Sequence, residues 1–242
     1  MSALLAGLLL SRLALAGAVG EPLPDARAGA WSLVATGDAG FAPVTERGCA
    51  RTDRCAAWWR DTRAGARAGL VLLPGVELTG EASWVRSAVH EAAYEGLGPA
   101  WSAGLRAALP VGGSWLAVGG RYGQGSGAGA ALDAGGRQRT AWREADGWLL
   151  AAWREPGGDG VAAWGGVQGV FAWDLVLQPL GGHEGAPALH LALDRRAEGV
   201  VGASLTSDPL GAGFRRSARL TLGLEARAGA AVAASTWIGV RY

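Results

Sequence analysis

The sequence predicts an all-β chain, closed into an antiparallel, up-and-down barrel that crosses a membrane on its strands. Three observations lead there. Apolar and polar residues alternate with period two through most of the chain, the mark of strands with two unlike faces. The polar faces are also small: Gly65, Gly69, Gly104, Gly119, Gly202 and Gly223 recur among charged residues, which suits a crowded or wet interior. Tryptophan supplies 12 of 242 residues. It falls near segment ends at Trp31, Trp84, Trp101, Trp148, Trp173 and Trp237, where an indole can sit at a membrane–water boundary. In hydrocarbon every backbone polar group must be bonded within the protein, which permits a closed barrel and forbids an open sheet.

The chain opens MSALLAGLLLSRLALAGAVG. Leu4 to Val19 form a short apolar run, and Ala16-Gly17-Ala18 offers the small-x-small pattern of signal-peptide cleavage. Arg12 interrupts the run, which is short for a membrane anchor. Residues 1–18 are therefore read as a signal peptide, 19–29 as an N-terminal segment and 30–242 as a single barrel domain. Cys49 and Cys55 are the only cysteines. In an exported chain their spacing points first to a small disulfide loop, with a pair of free thiols as the alternative.

The strands then follow in order. Ala66, Ala68, Leu70 and Leu72 alternate with Arg67 and Gly69, and Pro74-Gly75 turns the chain. Val76, Leu78, Gly80, Ala82 and Trp84 alternate with Glu77, Thr79, Glu81 and Ser83. Trp101, Ala103, Leu105, Ala107 and Leu109 precede a turn at Pro110 to Gly113. The longest run places Val161, Val167, Phe171, Trp173 and Leu175 on one face, with Gln168 and Asp174 on the other. Leu189, Leu191 and Leu193 alternate with His190, which is expected to point inward beside Asp194. Leu220, Leu222 and Leu224 alternate with Arg219, Thr221, Gly223 and Glu225. Direct counting gives eleven strands. A barrel whose two ends return to one side needs an even number. Reading Asp146-Gly147 as a two-residue hairpin gives about twelve; setting one strand outside the wall gives ten.

The last strand carries a resemblance. Val232, Ala234, Thr236, Ile238, Val240 and Tyr242 share one face, and the chain stops on the aromatic. Tyr242 with Val240 and Ile238 behind it resembles the C-terminal assembly signal of Gram-negative outer-membrane β-barrels, although Phe is the usual final residue there. The resemblance implies an outer-membrane location and contact with the barrel-assembly machinery during biogenesis. It also implies closure of the last strand against Trp31 to Asp38, with Tyr242 at the periplasmic interface.

For function, the inward faces are expected to hold Arg67, Glu77, Glu81, Arg106, Arg121, Asp174, Arg219, Glu225 and Arg241, with Arg63 and Arg227. Two outcomes stay open: a small, porin-like channel with an anion-favouring wall, or an Arg–Glu network that fills the lumen and leaves a structural envelope protein. A net charge of +1 gives no reason to expect nucleic acid. The expected partner is outer-membrane lipid around a monomer. No cofactor, metal site or catalytic residue is assigned. GQGSGAG lacks the Lys and helix of a phosphate loop. Two rival readings remain: a secreted soluble β-sandwich binding module, and a barrel hydrolase using His90 with Ser83 or Ser87, for which His183 and His190 are further candidates.

Overall fold

The computed structural model describes residues 19–23, 27–46, 56–89, 94–131, 137–156, 160–180, 188–192, 196–209, 218–229 and 231–242. Among these, eleven strands form one antiparallel sheet: β1 (Trp31–Glu46), β2 (Ala56–Leu73), β3 (Val76–Val89), β4 (Tyr94–Val111), β5 (Ser114–Ala131), β6 (Arg137–Arg154), β7 (Gly160–Leu180), β8 (Leu189–Ala192), β9 (Arg196–Thr206), β10 (Arg219–Gly229) and β11 (Val232–Arg241). The sheet closes through β11 against β1. The paired register runs from Ser32 opposite Arg241 to Phe41 opposite Val232. Trp31 and Tyr242 extend the seam by exchanging backbone hydrogen bonds of 2.8 and 2.9 Å, and their rings stack at 5.4 Å.

Ten strands make this ring, because β7 pairs with β9 and β8 stands outside the sequence-adjacent order. Ten is thus the number, and not twelve. Asp146-Gly147 is no hairpin: β6 runs through it, paired on both sides with β5 and β7. The break it signals is a bulge instead. Ala145 faces Ala172 and Asp146 faces Val170, so Phe171 is the extra residue on β7. Phe171 lies over Gly147 and Gly169, where a built Cβ would approach its ring to 2.9 and 3.3 Å.

A one-residue bulge exchanges the two faces of a strand. Below it, Val161, Val167 and Phe171 are exposed; above it, Leu175 and Leu177 are buried. Leu175 and Asp174 therefore take the opposite sides from those the uninterrupted alternation predicts. Elsewhere the leucine faces point outward as expected, with Leu70, Leu78, Leu105, Leu109, Leu220, Leu222 and Leu224 all exposed.

Strand lengths are unequal. β2, β4, β5 and β6 have 18 residues each, whereas β9 and β10 have 11 and β11 has 10. At the usual strand rise and tilt, an 11-residue strand climbs about 27 Å, close to the apolar thickness of an outer membrane. The 18-residue strands overtop it. Above the short strands the gap is filled by β8, which pairs with β7 over Asp174–Leu177 and with β1 at Thr45 and Glu46. The wall therefore has ten strands at the end bearing Trp31 and Tyr242, which the C-terminal resemblance makes the inner end, and eight at the opposite, outer rim.

Nine of the described tryptophans fall into two sets. Trp31, Trp58, Trp84, Trp101 and Trp153 are exposed. Trp142, Trp148, Trp164 and Trp237 are buried inside the ring, so Trp148 and Trp237 are not interface anchors. Each of these four indoles lies across a glycine directly opposite on the neighbouring strand: Trp142 on Gly125, Trp148 on Gly119, Trp164 on Gly202 and Trp237 on Gly223. A Cβ at any of these glycines would fall 2.1 to 2.4 Å from the ring. These four glycines seat the indoles. Gly223→Val should therefore destabilise by about 1–3 kcal/mol through overpacking. Gly80→Val on the outer face, where a built Cβ meets nothing within 4 Å, should be neutral or stabilising. Urea midpoints, read from the different gel migration of folded and boiled samples, check both; equal midpoints would contradict the seating role.

Candidate functional site in the barrel lumen

The lumen is built in three tiers. At the inner mouth the chain's own Val19–Leu23 lies inside the ring. Glu21 is 2% exposed. Its carboxylate accepts from Arg154, from Arg241 and from the Ser204 hydroxyl at 2.7 Å. Arg106 donates to the Glu21 carbonyl and, at 2.6 and 2.9 Å, to Glu77. Deeper, the Glu225 carboxylate accepts the Val19 and Gly20 N–H groups, each at 3.0 Å. Arg67 joins the Val19 carbonyl at 3.4 Å to Glu81 at 2.9 Å. Val19 and Leu23 pack into an apolar cluster with Leu150, Trp148, Trp164 and Trp237. Burial by itself would raise the Glu21 carboxyl; Arg241, Arg154 and the Ser204 hydroxyl outweigh it and hold the group at about 2.

The middle tier is ionic. Arg63 on β2 donates to Asp61 at 2.9 Å and to both oxygens of Glu144 at 2.9 and 3.1 Å. β2 and β6 are not neighbours, so this pair spans the lumen and ties opposite walls. Arg121 meets Asp146 at 2.6 Å, and Arg227 stands 3.5 Å from Glu225 and 3.4 Å from Ser235. All these side chains are buried. Small spaces remain here, of about 10 Å³ beside Arg63 and Arg121, and about 20 Å³ at the inner mouth beside Leu23.

The outer tier is apolar. Val44, Trp59, Val85, Val89, Trp142, Leu175, Leu177 and Leu191 form one buried cluster. It sits where the wall narrows to eight strands, a size whose interior side chains just fill.

The sequence-predicted residues distribute accordingly. Arg67, Glu77, Arg106, Arg121 and Glu225 are buried; Glu81, Arg219 and Arg241 are half-buried at inward positions. Asp174 is the correction. Past the Phe171 bulge it lies opposite Arg143, lining with Trp101, Gln124 and Arg143 a wall groove of about 590 Å³. His190 is also corrected: it is exposed, opposite Val176, while Leu191 beside it is 1% exposed. At this height the surroundings are reversed, with an apolar core inside and an outer surface of Arg60, Arg86, Arg139 and Arg143. Asp194, His90, His183, Cys49 and Cys55 lie outside the described residues, and Ser87 is buried.

Sequence reasoning missed Asp61, Glu144, Asp146, Arg154 and Glu21. Glu144, Asp146 and Arg154 carried a signal on β6, and Asp61 one on β2, where it shares the face of Arg63 and Arg67. Read without a break, β6 aligns Trp142, Glu144, Asp146, Trp148, Leu150 and Arg154 on one face. Glu21 carried none, since nothing in its neighbourhood is periodic. Among the described residues no His, Cys, Asp and Glu cluster suits a metal ion.

Removing one member of a buried ion pair strands the other, which costs about 3–5 kcal/mol, whereas replacing both with apolar groups is far milder. Arg121→Met should thus lower the unfolding midpoint sharply and Arg121→Met/Asp146→Leu should recover most of it. A double variant no better than the single one would show that the pair is not the unit.

No protein-family model matches the sequence, and no curated protein matches it significantly. Solved structures do match in shape. The translocator domain of the autotransporter NalP from Neisseria meningitidis aligns over 100% of this chain and 95% of its own, with a TM-score of 0.55 at 14% identity. An outer membrane channel from Pseudomonas putida F1 aligns over 93% and 99%, with a TM-score of 0.46 at 10% identity. The β domain of the Bordetella autotransporter BrkA covers 88% of this chain and 98% of its own, at 0.35 and 15%. With a ring closed strand by strand and a lipid-compatible outer face, the chain has the fold of a Gram-negative outer-membrane β-barrel.

Proposed function

We propose that the protein is a monomeric outer-membrane envelope protein whose lumen is closed to solutes, a membrane-embedded scaffold and not an open porin. The observation that carries this is the Arg63–Glu144 bridge across the lumen, flanked by an apolar tier outside and the Val19–Leu23 segment inside. Each tier blocks passage by a different force. An ion must displace a buried guanidinium–carboxylate pair, then enter an apolar constriction where its desolvation is uncompensated. Of the arginines that suggested an anion-favouring wall, Arg67, Arg106, Arg121, Arg227 and Arg241 are engaged with acids instead. The exposed leucine faces and the outer arginines fit a lipid surroundings with polar headgroups above it.

A chain segment inside the mouth favours a second reading, passage of an extended polypeptide. It requires release of the segment and also opening of the outer tier. The two readings part in planar bilayers. The closed barrel gives no conductance steps, and a variant lacking residues 19–26 stays silent because the upper tiers remain. Regular steps from the intact protein would overturn the closed reading.

The inner mouth should respond to acid. The Glu21 carboxyl is held at about 2, below its ordinary 4.5. A depressed carboxyl stabilises fully above the ordinary value and loses that contribution as pH falls through the lowered one. Retention of the segment should therefore weaken from pH 4.5 down to about 2. Pepsin cutting beside Leu23, normalised to an unfolded substrate, should rise over that window in the folded barrel; a flat profile would contradict it.

A further inference from the structure

The buried face of the N-terminal segment presents a site that the lumen's own ion pairs do not explain. Glu225 turns both carboxylate oxygens to the backbone nitrogens of Val19 and Gly20, at 3.0 Å each. Glu225 is 1% exposed and Val19 is 4% exposed. The other charges around this carboxylate are Arg227 on its own strand at 3.5 Å, Arg67 from β2, which donates to the Val19 carbonyl, and Asp38 from β1, also buried. Gly20 adopts φ +72°, and a Cβ there would fall 2.4 Å from the Arg67 guanidinium. The backbone bend that aims the Val19 nitrogen at Glu225 thus needs glycine at the next position.

Val19 is also the first residue after Ala16-Gly17-Ala18. We propose that signal-peptide cleavage between Ala18 and Val19 creates a buried binding group, the free α-ammonium of Val19, which docks on Glu225 and locks the N-terminal segment in the inner mouth. Hydrolysis of the Ala18–Val19 peptide bond gives a carboxylate on the departing peptide and an amine on Val19, which takes up a proton. An amide N–H offers one donor and no charge; the ammonium offers a full charge and three donors to the same carboxylate. A charge-assisted hydrogen bond of this kind is roughly twice as strong as a neutral one. Processing would then complete the barrel's interior rather than only trim its leader. The inference rests on the exported, membrane-embedded reading above.

The chain contains no lysine, so its α-amine is its single primary amine. The full chain, exported by a Gram-negative host and purified in detergent without a lysine-bearing tag, is first checked by intact mass and by heat-modifiable migration. It is then reacted with an amine-specific ester, folded and in urea. A mass beginning at Val19 and labelling at least about tenfold slower in the folded state are expected, because reaction needs local release of the segment. Glu225→Gln should raise the folded-state rate toward the unfolded one. A Ser-Gly insertion after Ala18, which displaces the ammonium and leaves the wall untouched, should do the same and serves if Glu225→Gln does not fold. A folded barrel that begins at another residue, or whose amine labels equally fast folded and unfolded, overturns the proposal. A chain that never acquires heat-modifiable migration overturns the membrane-barrel reading instead.

Discussion

Closure of β1 against β11 is the constraint from which the rest of the architecture follows. In hydrocarbon an unpaired backbone amide costs several kcal/mol, so neither edge of the sheet can remain open. The two strands satisfy each other from Ser32–Arg241 to Phe41–Val232, and Trp31 and Tyr242 finish the seam with paired hydrogen bonds and stacked rings. Once the ring is shut, every strand has an inside and an outside. The inside must be filled by side chains larger than alanine.

The interior is filled by three solutions in series. Indoles laid on glycines occupy space without pushing the walls apart, Trp148, Trp164 and Trp237 beside the N-terminal segment and Trp142 in the outer tier. Arginine–carboxylate pairs fill the middle and also bind strands that are not neighbours, as Arg63 and Glu144 do. Aliphatic packing closes the top, where the wall has lost two strands. The N-terminal segment completes the bottom, joining the ionic set through Glu21 and the apolar set through Leu23. The molecule thus resembles a soluble core turned sideways: its polar groups are central and its leucines face out over the membrane-spanning height, and this order reverses at the rim.

Much of this was legible in the residues. Leu220, Leu222 and Leu224 against Thr221, Gly223 and Glu225 define β10 and its lipid side without ambiguity. The terminal Tyr242 and the alternation behind it located the closing strand. The errors have separate causes, the first a change of phase that alternation cannot report. Phe171 inserts a residue, and from there Asp174 and Leu175 trade sides. Asp146-Gly147 has hairpin chemistry, yet Arg121 claims the aspartate and Phe171 needs the glycine. His190 and Leu191 follow ordinary alternation, but at their height the environment inverts, so the leucine belongs inside. Trp148 and Trp237 were misjudged because composition favours an interface, whereas their register partners Gly119 and Gly223 argue for burial. Glu21 lay beyond any periodic reading.

β8 carries a consequence for how the molecule assembles. Among the described residues, the upper edge of β1, beyond Phe41, pairs with Leu191 and Ala192, and its lower edge with the final eleven residues. Both partners come from the last quarter of the chain. The first strand therefore waits with one side unsatisfied until nearly all the polypeptide has been delivered. Contacts so distant in sequence form slowly, and a waiting strand edge invites pairing with the wrong molecule. Nascent copies would need shielding during transit, and a chain truncated before Leu189 would leave both halves of that edge bare.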